Sequence, residues 1–339
     1  MPPVLDPQNI YAADAPDALS AAVKNDLYRV YVPNLQSDSV TVIDPTTYKV
    51  VDTLHVGNQP QHVVPSWDLR TLWVNNDLGN SLTPIDPRTG RAGAAVAVSD
   101  PYNLYFTPDG KHAVVMASKL HRLDFRDPHT MALQKSVNVP CAGVNHADWT
   151  ADGRFFLVSC EFSNQLLWVD TAAEKVVRVL RLPPGSMPQD VKISPDGSTF
   201  YVADMMNNGL WVYRVTPDGP QLKRLLPTGL GAHGLYVSRD ATKLYVSNRG
   251  EGSISVVSFA DGNVVDTWKL PGGGSPDMGN LSPDGKVLWL SGRYNGVVYA
   301  ISTVDGSLLG KIPVGTEPHG LTVWPQPGRF SLGHTGIMR

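Results

Sequence analysis

Along most of the chain, apolar and polar residues alternate with a period of two in runs of five to eight, and Gly, Asn, Asp or Pro stands between the runs. Around Asp196 the pattern is complete: "VKIS" precedes the aspartate, "FYVAD" (Phe200 to Asp204) follows it, and then come "GLWVYRV" (Gly209 to Val215) and "QLKRLLPT" (Gln221 to Thr228). Alternation of this kind, rich in β-branched and aromatic residues, predicts strands buried on one face and joined as antiparallel hairpins. Helical spacing competes with it only in the N-terminal "APDALSAAVKNDL".

The four-strand pattern repeats. Turn sequences "PSWD", "TPDG", "TADG", "SPDG", "SRDA" and "SPDG" place Asp68, Asp109, Asp152, Asp196, Asp240 and Asp284 at intervals of 41, 43, 44, 44 and 44 residues. A further step of 42 falls on Gln326 in "WPQPG", which makes seven units. A unit of four strands at this period cannot bury both faces alone, so seven of them predict an all-β, seven-bladed β-propeller with four-stranded antiparallel blades. The last unit holds only its innermost strand, "GLTVW". Its other three are expected from the N-terminus, as "RVYVPN" (Arg29 to Asn34), "SVTVID" (Ser39 to Asp44) and "KVVDTLHV" (Lys49 to Val56). Ring closure would then protect the free strand edges. The expected organisation is an extension over residues 1–27, one propeller over 28–325 and a tail over 326–339.

"VYVPN" (30–34), "LWVNN" (72–76), "FYVAD" (200–204) and "LYVSN" (244–248), with "VTVID" and the "SPDG" turns, resemble the YVTN-repeat, YncE-like family of seven-bladed propellers. The resemblance covers roughly residues 28–325. It implies the fold; function it leaves open, because such propellers serve as enzymes, metal-site carriers and adhesion or scaffold modules.

Charge narrows the partners. With 28 Lys and Arg against 31 Asp and Glu, the formal charge is -3, and no basic run could neutralise a row of phosphates, so nucleic acid is not expected as a partner. No stretch approaches the roughly 18 apolar residues of a membrane helix, and the N-terminus has no secretory pattern. The expectation is a cytoplasmic protein without a membrane partner, or a secreted or periplasmic one if a leader was removed. The two cysteines, Cys141 and Cys160, are expected as buried thiols, with one bridge or a pair of soft metal ligands as alternatives.

Propeller geometry places the loops leading into the innermost strands, and the turns between second and third strands, on one face around the channel mouth. The seven lead-in sequences are "PQHVVPSW", "PYNLYFTP", "VNHADWTA", "PQDVKISP", "AHGLYVSR", "PDMGNLSP" and "PHGLTVWP". Four of the nine histidines, His62, His146, His233 and His319, fall here, and Tyr102, Asn103, Asp190 and Asp277 occupy the remaining blades. Each of these histidines taken alone reads as a strand cap bonded to loop carbonyls. Four at equivalent places suit a transition metal, copper or iron before zinc or nickel. The arrangement is similar in architecture to the carotenoid cleavage oxygenases, whose sequence motifs are absent.

One difficulty is register. His62 and His146 stand one residue further into their strands than His233 and His319, each of which precedes a glycine, and neighbouring strand residues point oppositely. A bulge at the "HG" pairs would realign them.

The second-to-third-strand turns add Glu161, Arg249 and Arg293 to the same face, with a solvated turn residue as the plain alternative for each. Glu161 or Asp190 is expected to handle protons. Arg249 and Arg293 are expected to grip an anionic substrate, with Tyr102, Asn103 and Asp277 as further substrate contacts, although Asp190 and Asp277 could pair with the arginines instead. The expected function is a metal-dependent enzyme for a small organic molecule, an oxidoreductase before a lyase or hydrolase. The alternative is a non-catalytic propeller that binds a ligand or protein partner. The tail "GRFSLGHTGIMR" is expected to pack over the channel with His334, or to bind a partner, rather than to be disordered.

Overall fold

The computed structural model describes residues 2–339. Seven four-stranded antiparallel sheets form a ring, blade one carrying a fifth short strand at its outer edge. The closing blade combines Thr322–Trp324 with Arg29–Asn34, Ser39–Asp44 and Lys49–His55, in the order expected from the alternation pattern. Its closing register pairs Arg29 with Trp324 and Tyr31 with Thr322. Inner strands such as Pro60–Pro65 and Pro188–Ile193 are buried along their whole length, whereas the outer strand Lys49–His55 is mostly exposed. Neighbouring blades cover the faces of an inner strand, which is why apolar burial concentrates there. Trp149, Trp289, Trp324 and Phe156 are fully buried between blades.

The repeated aspartate has a local cause. In each of six blades a Ser or Thr hydroxyl two residues earlier donates to it, from Ser66 to Asp68 at 2.7 Å and Ser194 to Asp196 at 2.5 Å, for example. The same carboxylate accepts the backbone N–H two residues later, as from Ser198 at 3.0 Å. A side chain that satisfies turn donors in this way replaces ladder bonds lost at the bend.

A second repeated device ties the hairpin at the opposite end. Asn34, Asn76 and Asn248 close the second strand of their blades and donate side-chain hydrogen bonds to hydroxyls on the third strand. Blade three has Cys160 in this place, joined by a disulfide to Cys141 in the preceding loop, with Cα atoms 6.1 Å apart. The buried-thiol expectation is therefore corrected. Val144 pairs with Cys160 across the sheet, which brings the loop cysteine within bridging range.

The helical expectation for the N-terminal segment is also corrected, since only Ala12–Asp14 forms a turn of 3-10 helix. Pro16 and the left-handed Asp17, with φ of 57°, interrupt the local spacing, and the segment packs instead across the channel floor. Ile10 N–H donates to the Pro195 carbonyl at 2.8 Å, Tyr11 Oη to the Ile193 carbonyl at 2.8 Å, and Asp14 pairs with Arg239. The C-terminal tail completes the floor. It is almost wholly buried and rises into the channel as a narrow hairpin, with Ser331 bridged to Met338 and Gly333 bridged to Tyr105 of blade two. Arg339 ends beside Asp148, 2.7 Å away. Among the described residues no helix is long and apolar enough to cross a membrane.

Candidate functional site

The register difficulty is resolved by the backbone. In five blades the inner strand takes three steps where its partner takes two: Pro60 faces Asn76 and Val63 faces Val74, and the same shift occurs after Val144, Pro188, Ala232 and Pro276. The closing blade does the equivalent, with Pro318 opposite Asn34 and Thr322 opposite Tyr31. Each inner strand of these six blades thus carries a bulge where the lead-in residues sit. An extra residue bends the strand and frees successive side chains from strict alternation, so His62 and His146 can converge with His233 and His319. The bulge was expected only at the "HG" pairs. There the glycine answers a different need, close approach: a Cβ on Gly320 would lie 2.1 Å from His62 Cδ2, and one on Gly234 would lie 2.1 Å from Tyr236 Oη.

The four imidazoles form a circuit in blade order. Ring centroids are 5.9 Å apart from His62 to His146, 6.4 Å from His146 to His233, 5.9 Å from His233 to His319 and 4.8 Å from His319 back to His62. His334, at the tip of the tail hairpin, joins them at 4.6 Å from His146 and 5.2 Å from His62. All five are at most 3% exposed.

Their partners set their protonation. His62 Nδ1 lies 3.0 Å from the Tyr102 carbonyl, which can only accept, so Nδ1 carries the hydrogen and Nε2 the lone pair. His319 Nδ1 lies 2.7 Å from Asp277 Oδ2, and His233 Nδ1 faces Asp277 Oδ1 at 3.0 Å. Burial drives all five imidazoles below their ordinary range, with Arg249, Arg293 or Lys192 adding to it at every one but His146, and burial and Arg293 take His319 to about 3. Neutral imidazole is the form that binds metals. The Nε2 atoms of His62, His146, His319 and His334 are buried with no hydrogen-bond partner from the protein, an arrangement that native interiors rarely tolerate without a ligand or ordered water.

Asp277 is the electrostatic hub. Besides the two histidines it receives Arg249 Nη1 at 3.1 Å and Arg293 Nη1 at 3.6 Å. Burial alone would raise its carboxyl, but His233, Arg249 and His319 together hold it well below the carboxylate range. Of the two outcomes left open for the arginines, pairing with Asp277 is the one observed. Asp190 lies lower in the channel, accepting the Val191 and Leu235 N–H groups at 2.9 Å each and facing Lys192 Nζ at 3.5 Å.

Glu161 touches no histidine. It accepts from Asn145 Nδ2 at 3.1 Å, and Asn145 Oδ1 in turn accepts the His146 N–H at 2.8 Å. Burial raises the Glu161 carboxyl above its ordinary value. Tyr102 lies edge-on to His62 and His146, and the Asn103 amide is spent on protein groups, with Nδ2 3.3 Å from His146 Nδ1 and 3.1 Å from His334 Nδ1. Three residues that the sequence did not single out also reach this site: Lys192 Nζ lies 3.5 Å from Asp190, Tyr105 Oη lies 3.5 Å from His146 Nδ1, and Tyr236 Oη donates to the Asp277 carbonyl at 3.1 Å.

The fold and this mouth define a seven-bladed propeller with a histidine-lined channel. Residues 3–327 match the YNCE-like beta-propeller family, and the chain belongs to it. It is 22% identical over 276 residues to YncE of Salmonella typhi, an uncharacterized protein, across 74% of this chain and 73% of that one. Two solved structures share the shape: the periplasmic gluconolactonase PpgL of Pseudomonas aeruginosa, with 19% identity, a TM-score of 0.73 and coverage of 88% of this chain and 99% of that one, and the dihydro-heme d1 dehydrogenase NirN, with 13% identity, a TM-score of 0.62 and coverage of 91% and 78%. Identities this low establish the common fold. Some propellers of this shape are thus enzymes, and catalysis is within the fold's range.

Proposed function

We propose that the protein is a metal-dependent enzyme, an oxidoreductase before a lyase or hydrolase, acting on a small anionic molecule at the channel mouth. The observation that carries this reading is the set of five buried imidazoles with neighbouring ring centroids 4.6–6.4 Å apart, four of which have an Nε2 without a hydrogen-bond partner. Carboxylate or carbonyl groups on the Nδ1 side of His62, His233 and His319 orient those rings as outer partners orient metal-bound histidines elsewhere. Imidazole-rich donor sets suit copper or iron first, zinc or nickel next. Arg249 and Arg293 each place a single nitrogen on Asp277, which leaves further N–H groups of Arg293 for an anion. Glu161, whose carboxyl is raised and which stands in the field of both arginines, is the proton-handling group nearest the rim.

Elemental analysis of protein purified without an affinity tag tests the reading. It predicts close to one equivalent of transition metal; less than about a tenth, with no uptake on titration, overturns it. A second reading, metal or ligand holding without turnover, is favoured by the closure of the chamber, where His62 and His146 are 0% exposed. Turnover of small organic anions by metal-loaded protein, lost in Arg293→Ala with metal content unchanged, separates the two.

The Cys141–Cys160 bridge supports an oxidising compartment over the cytoplasm, because such bonds are reduced in most cytosols. Thiol alkylation of the protein in intact cells that leaves both cysteines unmodified is the expected result.

A further inference from the structure

We infer that the C-terminal hairpin supplies a metal ligand, so that the ion sits deep in the channel between His146, Asp190 and His334 instead of among the four inner-strand histidines. This rests on the metal reading above and changes its ligand set. Ligand atoms of these three buried residues lie within 4.8 Å of one another. His334 Nε2 stands 3.5 Å from Asp190 Oδ1. That is long for a charge-assisted hydrogen bond and close to the roughly 3.4 Å separating two ligands held at about 2.0–2.1 Å around a tetrahedral ion. By contrast, His319 meets Asp277 at 2.7 Å, a hydrogen bond that places Asp277 outside the metal.

The hairpin tip is built to present this imidazole. His334 and Thr335 have φ of 33° and 51°, and Gly336 N–H closes the turn on the Gly333 carbonyl at 3.0 Å. Two successive left-handed residues, one of them β-branched, persist only where surrounding contacts impose them. Those contacts are the Leu104 carbonyl, which accepts the His334 N–H at 3.0 Å, and Thr322 and Asn280, which both donate to the Thr335 carbonyl.

Two groups oppose the ion, and both make the inference sharper. Lys192 Nζ shares Asp190 Oδ1 at 3.5 Å, so the ion competes with an ammonium. Asn103 Nδ2 faces Nδ1 of both His146 and His334, a pairing suited to the metal-free tautomers. Ligation through Nε2 moves the imidazole hydrogens to Nδ1, which then need an acceptor. A carboxylate at position 103 would supply one.

The test is titration of chelator-stripped full-length protein with Zn2+ and Cu2+ against a chromophoric chelator, with melting temperature as a second readout. His334→Gln and Asp190→Asn are expected to weaken binding at least 100-fold and to abolish the metal-induced rise in melting temperature. His112→Gln and His129→Gln, at histidines outside the channel, should bind within a few fold of the native chain. Asn103→Asp should bind about tenfold tighter, the scale of effect that outer partners exert. Native affinity in His334→Gln together with lost affinity in His62→Ala would overturn the inference and leave the metal reading standing. No uptake by the native chain removes both. Weaker binding in Asn103→Asp counts against ligation through Nε2.

Discussion

The two ends of the inner strands are governed by different rules. At the floor end, six blades turn on the same device, a hydroxyl and backbone N–H closing on an aspartate, with hydroxyl-to-carboxylate distances between 2.5 and 2.7 Å. At the mouth end five of these strands, all but that of blade two, carry a bulge, and the two residues in it change from Gln61–His62 to Asn145–His146, Gln189–Asp190, His233–Gly234 and Asp277–Met278. Each aspartate closes the turn of its own blade. Each mouth residue bonds across to a neighbour, as His319 does to Asp277 and Asn103 to His146. Uniform turns therefore hold the ring, and irregular bulges differentiate it.

If that contrast is right, substitutions at the mouth act through several blades at once. The largest effect is expected for Asp277→Ala, which leaves two arginines buried beside neutral histidines. Breaking a buried charge network costs about 3–5 kcal/mol, so chemical denaturation should show a loss of that size along with lost activity. Reduction of the Cys141–Cys160 bridge, which spans 19 residues, should cost about 3 kcal/mol in the loop-entropy account, read as a lower denaturation midpoint with reductant. Gly320→Ala comes next. Its Cβ would drive His62 out of place, with an expected cost of about 1–3 kcal/mol and a disproportionate loss of turnover.

These positions also show where sequence reading stops. The strands Arg29–Asn34 and Ser39–Asp44 match the expected bounds to the residue, because the repeat and the turn residues between them fix where each begins and ends, and neighbouring blades then bury both faces. Repeat spacing was enough to place four histidines at the mouth. It could not show that both registers converge, since a bulge is a backbone event that leaves no signature in residues such as Gln61 or Asn145. His334 was legible as a tail residue only, because its place depends on a hairpin held by contacts from Leu104, Asn280 and Thr322, which are remote in sequence. The disulfide did have a signal: Cys160 occupies the place that Asn76 and Asn248 fill in other blades, where their side chains tie the second strand to the third.

The smallest expected effect lies at the turns. Burial would raise the carboxyls of Asp109, Asp196, Asp240 and Asp284, but the hydroxyl and backbone donors around each outweigh it and leave them below the ordinary 3.8. A carboxyl depressed in the folded state binds its proton later than in the unfolded chain. Its stabilisation is therefore complete above the ordinary value and is lost as pH falls through the folded one. Asp196→Asn keeps an acceptor oxygen and removes only the charge. It should cost about 0.5–1 kcal/mol near neutral pH after solvent screening, a shift of about 1–2 °C in melting temperature for a chain this long. The difference from the native protein should shrink to nothing as the pH drops below the carboxylate range, and metal content should stay unchanged throughout. A change in metal content would mean that the turn and the mouth are not independent, and the division between a uniform ring and a differentiated centre would fail.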